Sequence, residues 1–272
     1  GGVRARGFPG VYSRFATVTK GPVGHNVSRF DIYYLAGPKQ GDLALRIDKA
    51  DPVYVSTSAE SAQDKVHTIN VPDGPHELRI QARGGRLNVY GVVMERDSPG
   101  VVYDGLGIVG FIEDRHHNAD FQHFKGQVAR RGTDLMILMY GGNKLGFPKL
   151  GMERYERDFE KVVKRFRKAA PDISCLVMSP LDHGERHRGK IRTVPKLHKM
   201  VAIQRRVALR NGCDWYSIFD AMGGEGSMGQ WAHAKPALGW KDYAHVTKEG
   251  AKVLGSLFYQ ALMDGYVKHN GG

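Results

Sequence analysis

The 272-residue sequence predicts an α/β domain built on a parallel sheet and preceded by a small antiparallel β-sandwich. Three observations predict it. From Phe30 to Val93 apolar residues recur at every second position in short runs, the period of half-buried strands. Near Pro99 that period gives way to apolar residues three and four apart, interleaved with short apolar runs, which is the alternation of helix and strand in α/β folds. The chain is also long and apolar enough to bury a full core, with 41% hydrophobic residues. The expected organisation is a connecting segment over 1–27, a sandwich of the jelly-roll kind over 28–96 and an α/β domain over 97–272.

Each element has its own justification. The first 26 residues are Gly-rich and aperiodic, and read as loop. Alternating runs follow at Phe30-Ile32-Tyr34, Leu43-Leu45-Ile47, Val53-Val55, Leu78-Ile80-Ala82 and Leu87-Val89-Gly91-Val93. Turn formers such as Gly37-Pro38, Gly41-Asp42, Asp73-Gly74-Pro75 and Gly84-Gly85 separate them. In the second part strands are expected over 101–103, 135–140, 173–179 and 215–219. The helices between them carry Phe121, Phe124 and Val128, then Met152, Tyr155, Phe159, Val162 and Phe166, then Leu197, Met200, Val201, Gln204 and Val207. A last helix, capped by Thr247, is expected to bury Val253, Leu254, Leu257, Phe258 and Ala261.

Composition narrows the function classes. The formal charge is +12, with most of the excess beyond residue 100, which suits a polyanionic or glycan partner. No zinc-finger, basic-zipper or RNP pattern accompanies it, so nucleic acid is not an expected partner. No apolar run reaches the ~18 residues of a membrane span, and no signal segment opens the sequence. Cys175 and Cys213 sit in separate apolar runs; they read as buried thiols, or as a bridge should their strands be neighbours. His183 and His187, with Asp182 and Glu185, match no zinc spacing, and His116-His117 has no partner cluster.

Chemistry concentrates in three places. In Trp240-Lys241-Asp242-Tyr243-Ala244-His245-Val246-Thr247 a carboxylate stands three residues ahead of a histidine, where it can hold one imidazole tautomer and leave the far nitrogen free. Tyr140-Gly141-Gly142-Asn143 follows an apolar strand, placing an amide where α/β sheets bind ligands. Leu106-Gly107-Ile108-Val109-Gly110 reads as another strand-to-glycine transition.

In order and spacing these blocks resemble three of the four signature blocks of the SGNH (GDSL-type) hydrolases, nearest the carbohydrate and peptidoglycan O-acetylesterase branch. The resemblance runs from about residue 99 to the C-terminus. It implies a flavodoxin-like three-layer domain and serine acyl transfer without cofactor or metal, acting on an acetylated polysaccharide or peptidoglycan in the periplasm or outside the cell. His245 would be the general base, Asp242 its orienting carboxylate, and the Gly110 N–H and Asn143 amide the oxyanion donors. Lys144 follows Asn143 where an acidic residue is common, and Phe111 follows Gly110 where a small one is common. Lys144 and Arg188 are the candidate substrate contacts, although the run from Arg186 to Arg192 reads first as a solvated loop.

The fourth block, Gly-Asp-Ser with the nucleophile, does not occur in the sequence. Asp97-Ser98 precedes Pro99 with no helix behind it, which is not the strand-to-helix turn a nucleophile needs. In the family the nucleophile strand comes first, and some O-acetylesterases insert a carbohydrate-binding-like sandwich after it. The resemblance therefore implies a sequence that begins after the nucleophile, with the sandwich as the insert. Two expectations follow: an esterase whose serine lies in an N-terminal segment or another chain, or a non-catalytic glycan-binding or assembly protein on an esterase fold.

Overall fold

A computed structural model describes residues 5–271. The chain divides into two compact units, Gly1–Gly105 and Leu106–Gly272.

The first unit is a sandwich of two four-stranded antiparallel sheets. Its strands are β1 (Ala5–Gly7), β2 (Tyr12–Ala16), β3 (Val27–Ala36), β4 (Asp42–Ile47), β5 (Val53–Ser56), β6 (Gln63–Gly74), β7 (Glu77–Arg83) and β8 (Leu87–Glu95). One sheet has the order β1-β8-β3-β6 and the other β2-β7-β4-β5. The alternating residues Phe30, Ile32, Tyr34, Leu43, Leu45, Leu78, Ile80 and Ala82 point inward and form one shared core. The stretch over 1–27, expected as a connector, contributes a strand to each sheet, and β6 is a further strand the periodicity did not show. All three lie at sheet edges, where a mostly solvated strand carries polar residues and loses the apolar alternation.

In the second unit β9 (Leu135–Met139), β10 (Ser174–Met178) and β13 (Asp214–Tyr216) form a parallel sheet in the order β13-β10-β9. Helices α1 (Phe121–Arg131), α2 (Gly142–Leu145), α3 (Met152–Ala169) and α4 (Pro195–Arg210) accompany it, followed by α5 (Ile218–Ala221), α6 (Ser227–His233) and α7 (Lys248–Asn270). Side chains leave each strand to alternate faces. Cys175, Val177 and Leu138 pack with α3 and α4, while Leu176 and Met178 pack with α5, α6 and Leu254 of α7, so the sheet lies between two helical layers. No helix among the described residues is long and apolar enough to cross a membrane.

Several expected elements end differently. The strand expected over 101–103 is absent: Val101, Val102 and Tyr103 are exposed, and no described strand takes up their backbone hydrogen bonds. The segment before Gly110 is likewise not a strand. The strand over 215–219 stops at Tyr216 because the Ser217 hydroxyl accepts a hydrogen bond from the Asp220 N–H and opens α5. Residues 186–192 are a hairpin and not a loop, β11 (Gly184–His187) against β12 (Lys190–Thr193). Its two tip residues Arg188 and Gly189 both take positive φ, the two-residue turn that matches strand twist. Thr247 caps α7 through the Gly250 N–H, but of the expected apolar stripe Leu254 alone is fully buried. Farther along, Tyr259, Leu262, Met263, Tyr266 and Val267 line an exposed face.

The cysteines, read first as buried thiols, are instead bridged, because their strands are neighbours. Leu176 on β10 pairs in register with Asp214 on β13, which puts Cys175 beside Cys213, and the two form a disulfide. Replacing both by alanine is expected to lower stability by about 2–4 kcal/mol, because a loop closed over 38 residues no longer restrains the unfolded chain. Denaturant midpoints of the double variant and of the reduced protein check this; both should fall together.

Candidate active site

The Asp242–His245 turn is held from three sides. The His245 carbonyl accepts from the Trp240 N–H at 2.8 Å, the Thr247 N–H reaches the Leu238 carbonyl at 2.8 Å, and the Gly184 N–H donates to the Tyr243 carbonyl at 2.7 Å. Tyr243 is buried and takes φ +58°, a backbone strain that a well-packed ring can sustain. With Tyr243 turned inward, Asp242 and His245 turn outward. Asp242 Oδ2 lies 2.8 Å from His245 Nδ1, and Oδ1 accepts from the Ala244 and His245 N–H groups at 3.0 and 3.1 Å. Partial burial would raise the Asp242 carboxyl, but those two N–H groups and the imidazole together hold it below its ordinary value. The carboxylate thus fixes the tautomer with the proton on Nδ1. Nε2 is left as a bare acceptor on a side chain 76% exposed.

The second cluster forms at the carboxyl end of β9. Gly141 has φ +106°, and a Cβ there would lie 2.6 Å from Met200 Sδ and 2.9 Å from Gln204 Nε2, so only glycine lets the chain turn this close to α4. Gln204 Nε2 donates to the Tyr140 carbonyl at 2.9 Å and pins the turn from below. Asn143 then stands exposed at the start of α2, and its Nδ2 donates to the Phe111 carbonyl at 2.8 Å. Gly110, directly before Phe111, has φ +67° in a tight turn closed by the Phe111 N–H on the Ile108 carbonyl. The bond to Phe111 uses one hydrogen of the Asn143 amide, so the other is held in a fixed direction beside the Gly110 turn.

His183, which sequence reasoning passed over, links the two clusters. Its ring would lie 3.3 Å from a Cβ on Gly142, and it is near enough to His245 and Asp242 for their charges to act weakly on it. Burial lowers its pKa, and its Nδ1 donates to the Leu181 carbonyl at 3.0 Å. The next residue inward, Asp182, is fully buried and anchors the hairpin and α6, accepting from Thr193 Oγ1 at 2.8 Å and the Met228 N–H at 2.9 Å. Nothing in the sequence near His183 could have placed it, because its neighbours lie some 40 and 60 residues away.

Lys144 and Arg188, the candidate substrate contacts, have different settings. The Lys144 side chain is 5% exposed, 2.7 Å from Asp114 Oδ2 and 3.1 Å from Glu113 Oε1 on the 3-10 turn Glu113–Asn118. A lysine where an acidic residue is common thus answers two carboxylates on the facing segment. Arg188 sits at the exposed hairpin tip with no bond to the site, whereas Arg186 lies over the Tyr243 ring. His116 is also partnered: its Nε2 is 2.7 Å from Tyr140 Oη and its ring meets Phe111, Tyr140 and Phe166 edge-on. Three consecutive contacts, His116–Tyr140, Phe111–Asn143 and Glu113/Asp114–Lys144, therefore clamp the Gly110 segment to the Asn143 turn.

Burial lowers the His116 pKa from 6.5 to about 4, so the fold prefers the neutral ring. Its stabilising contribution is complete above pH 6.5 and is lost as pH falls toward 4, since the unfolded chain takes up the proton first. Allowing for the partial exposure of the ring, the loss is about 1–2 kcal/mol. Unfolding curves between pH 7 and 4 should show that slope, and a His116→Phe variant should lack it.

Among the described residues no hydroxyl hydrogen-bonds His245. Ser179 Oγ is committed to the Pro180 carbonyl and the Phe219 N–H, Ser217 caps α5 and Ser227 bonds Asp182. Ser174 begins β10, at the opposite end of the sheet, and Ser98 lies in the exposed bend after β8.

This arrangement can be set against known proteins. A profile of the GDSL-like Lipase/Acylhydrolase family matches residues 78–253. Among solved structures, a peptidoglycan O-acetylesterase superposes with a TM-score of 0.68 at 19% identity, over 96% of this chain and 70% of the other. The acetyl xylan esterase AlAXEase gives 0.43 at 17% identity, over 57% and 78%. The first superposition shows a common fold; the second is too loose to carry an argument. No curated protein sequence matches the chain. With Asn143 and its glycines at the end of β9, Asp242 and His245 ahead of the last helix, and a family profile matching from β7 into α7, the chain belongs to the GDSL-like lipase/acylhydrolase family of SGNH hydrolases.

Proposed function

We propose that the protein is a carbohydrate esterase that removes O-acetyl groups from a cell-wall or other polysaccharide, with a serine nucleophile supplied from outside residues 1–272. One observation carries this reading. β9 pairs with β10 alone, and no described strand takes its other edge, where Leu135 and Met139 are exposed. A parallel strand added there would end beside Gly142 and Asn143, since β9 itself runs into that turn. Its last residue would thus lie at the same end of the sheet as the oxyanion turn and His183.

The chemistry follows from the groups present. The serine hydroxyl attacks the acetyl carbonyl while Nε2 of His245 takes its proton, and Asp242 stabilises the imidazolium. The Gly110 N–H and the free hydrogen of the Asn143 amide meet the oxyanion. Collapse expels the sugar hydroxyl, protonated by His245, and water discharges the acetyl-serine by the same route. The sandwich is the insert between the nucleophile strand and this domain, a jelly-roll module of the carbohydrate-binding kind. The Cys175–Cys213 disulfide supports an oxidising compartment, periplasmic or extracellular.

A second reading, a glycan-binding or assembly protein without turnover, is favoured by the lack of any hydroxyl on His245 among the described residues. Acetate release from acetylated peptidoglycan and acetylxylan by the intact gene product separates the two. The esterase reading expects release from at least one of them that His245→Ala abolishes; binding to either polymer without release would leave the second reading standing.

A further inference from the structure

The hydrolase unit carries a groove that shares no residue with the His245 site. It is an open groove of about 520 Å³. One wall is a stripe of α4, His198, Val201, Ala202 and Arg205, residues that fall on one helix face at spacings of three and four. Trp215 of β13, Ser217, Phe219 and Asp220 make up the rest. The side chains of Arg205 and Asp220 are exposed and have no hydrogen bond or ion pair among the described residues. Both aromatic residues are anchored: Trp215 is partly exposed and packs on the sheet core, while Phe219 is buried, meets His198 edge-on at 5.5 Å and has its N–H bound to Ser179.

These pieces fit a sugar chain. The apolar face of a pyranose ring lies on an indole surface such as that of Trp215, and neighbouring hydroxyls suit a guanidinium donor and a carboxylate acceptor set at the rim. His198 and Arg205 are two helical turns apart, about 10 Å along the axis, which gives the groove the length of a short oligosaccharide rather than of one sugar. Its position favours a polymer as well. α4 begins at Pro195, and the Val194 N–H before it bonds the His183 carbonyl at 2.8 Å, so the groove starts from the loop that carries His183 and runs away along α4. We propose that this groove is a second glycan-binding subsite, holding a stretch of the same polysaccharide remote from the acetyl group at His245. The choice of a glycan as occupant rests on the esterase reading; the groove itself does not.

The test is a titration of this chain, followed by the indole N–H signals of its three tryptophans, with xylohexaose, with a β-1,4-linked N-acetylglucosamine hexamer and with a single-stranded DNA hexamer. One of the two oligosaccharides should shift the Trp215 signal, and Arg205→Ala and Asp220→Ala should each weaken that binding about fivefold or more. His245→Ala should leave it unchanged. The inference is overturned if neither oligosaccharide moves Trp215, if both rim variants bind as the parent does, or if the DNA hexamer binds this groove more tightly than the sugars. Groove binding that persists in a protein releasing no acetate would sink the esterase reading alone, whereas acetate release without groove binding would sink this inference alone.

Discussion

In a preparation that hydrolyses acetyl esters, His245→Ala is expected to lower kcat at least about 10⁴-fold. Without the imidazole no described group takes its place on the Asp242 carboxylate, because the Nδ1 of His183 is committed to the Leu181 carbonyl. What remains is the oxyanion contribution and binding. Asp242→Asn should behave almost as badly, because an amide can donate to Nδ1 and favour the tautomer with the proton on Nε2, the nitrogen that must be bare. Asn143→Ala should cost less, about 10²- to 10³-fold, with KM little changed, since one oxyanion donor is lost while substrate contacts stay. Steady-state kinetics on a soluble acetyl ester distinguish these; equal effects of all three on KM alone would mean that the cluster binds and does not catalyse.

Lys144→Met is expected to destabilise the hydrolase unit by about 3–5 kcal/mol, more than any other single change considered for the fold. The ammonium is the counter-charge of Glu113, which is 1% exposed and whose carboxylate oxygens have no conventional hydrogen bond among the described residues. Burial already pushes the Glu113 carboxyl above its ordinary value against the pull of Lys144; with Lys144 gone it must fold protonated or not at all. The double variant Glu113→Gln/Lys144→Met should recover much of the loss, because the buried charge and its partner leave together. Urea midpoints at pH 7 provide the measurement. A single variant as stable as the parent would mean that Glu113 is not carried as a charge at all.

These two clusters also show how far the sequence could be read. The Asp242–His245 hydrogen bond is a local matter of three residues and one turn, so spacing alone suggests it. The ion pairs of Lys144 with Glu113 and Asp114 join segments about 30 residues apart and look, in the sequence, like an exposed cation after an asparagine. His183 is hidden for the same reason. In the fold, strands with a fully buried face, β3, β4 and β7, announce themselves by alternation, whereas the edge strands β1, β2 and β6 carry polar residues and do not. The hairpin of β11 and β12 has no apolar alternation, half of its strand residues being charged, and what specifies it is the two-residue tip Arg188-Gly189 and the docking of Gly184 on Tyr243. The run over 101–103 has strand-forming residues but no described neighbour to pair with, and a strand is a property of two segments, not one.

The source of the nucleophile decides the rest. An ester-hydrolysing preparation can be trapped with a fluorophosphonate, digested and mapped by mass spectrometry, with His245→Ala in parallel. The label is expected on a serine outside residues 1–272 and at much reduced yield in the His245 variant. A His245-dependent label on any serine within these residues, Ser98 included, would contradict it.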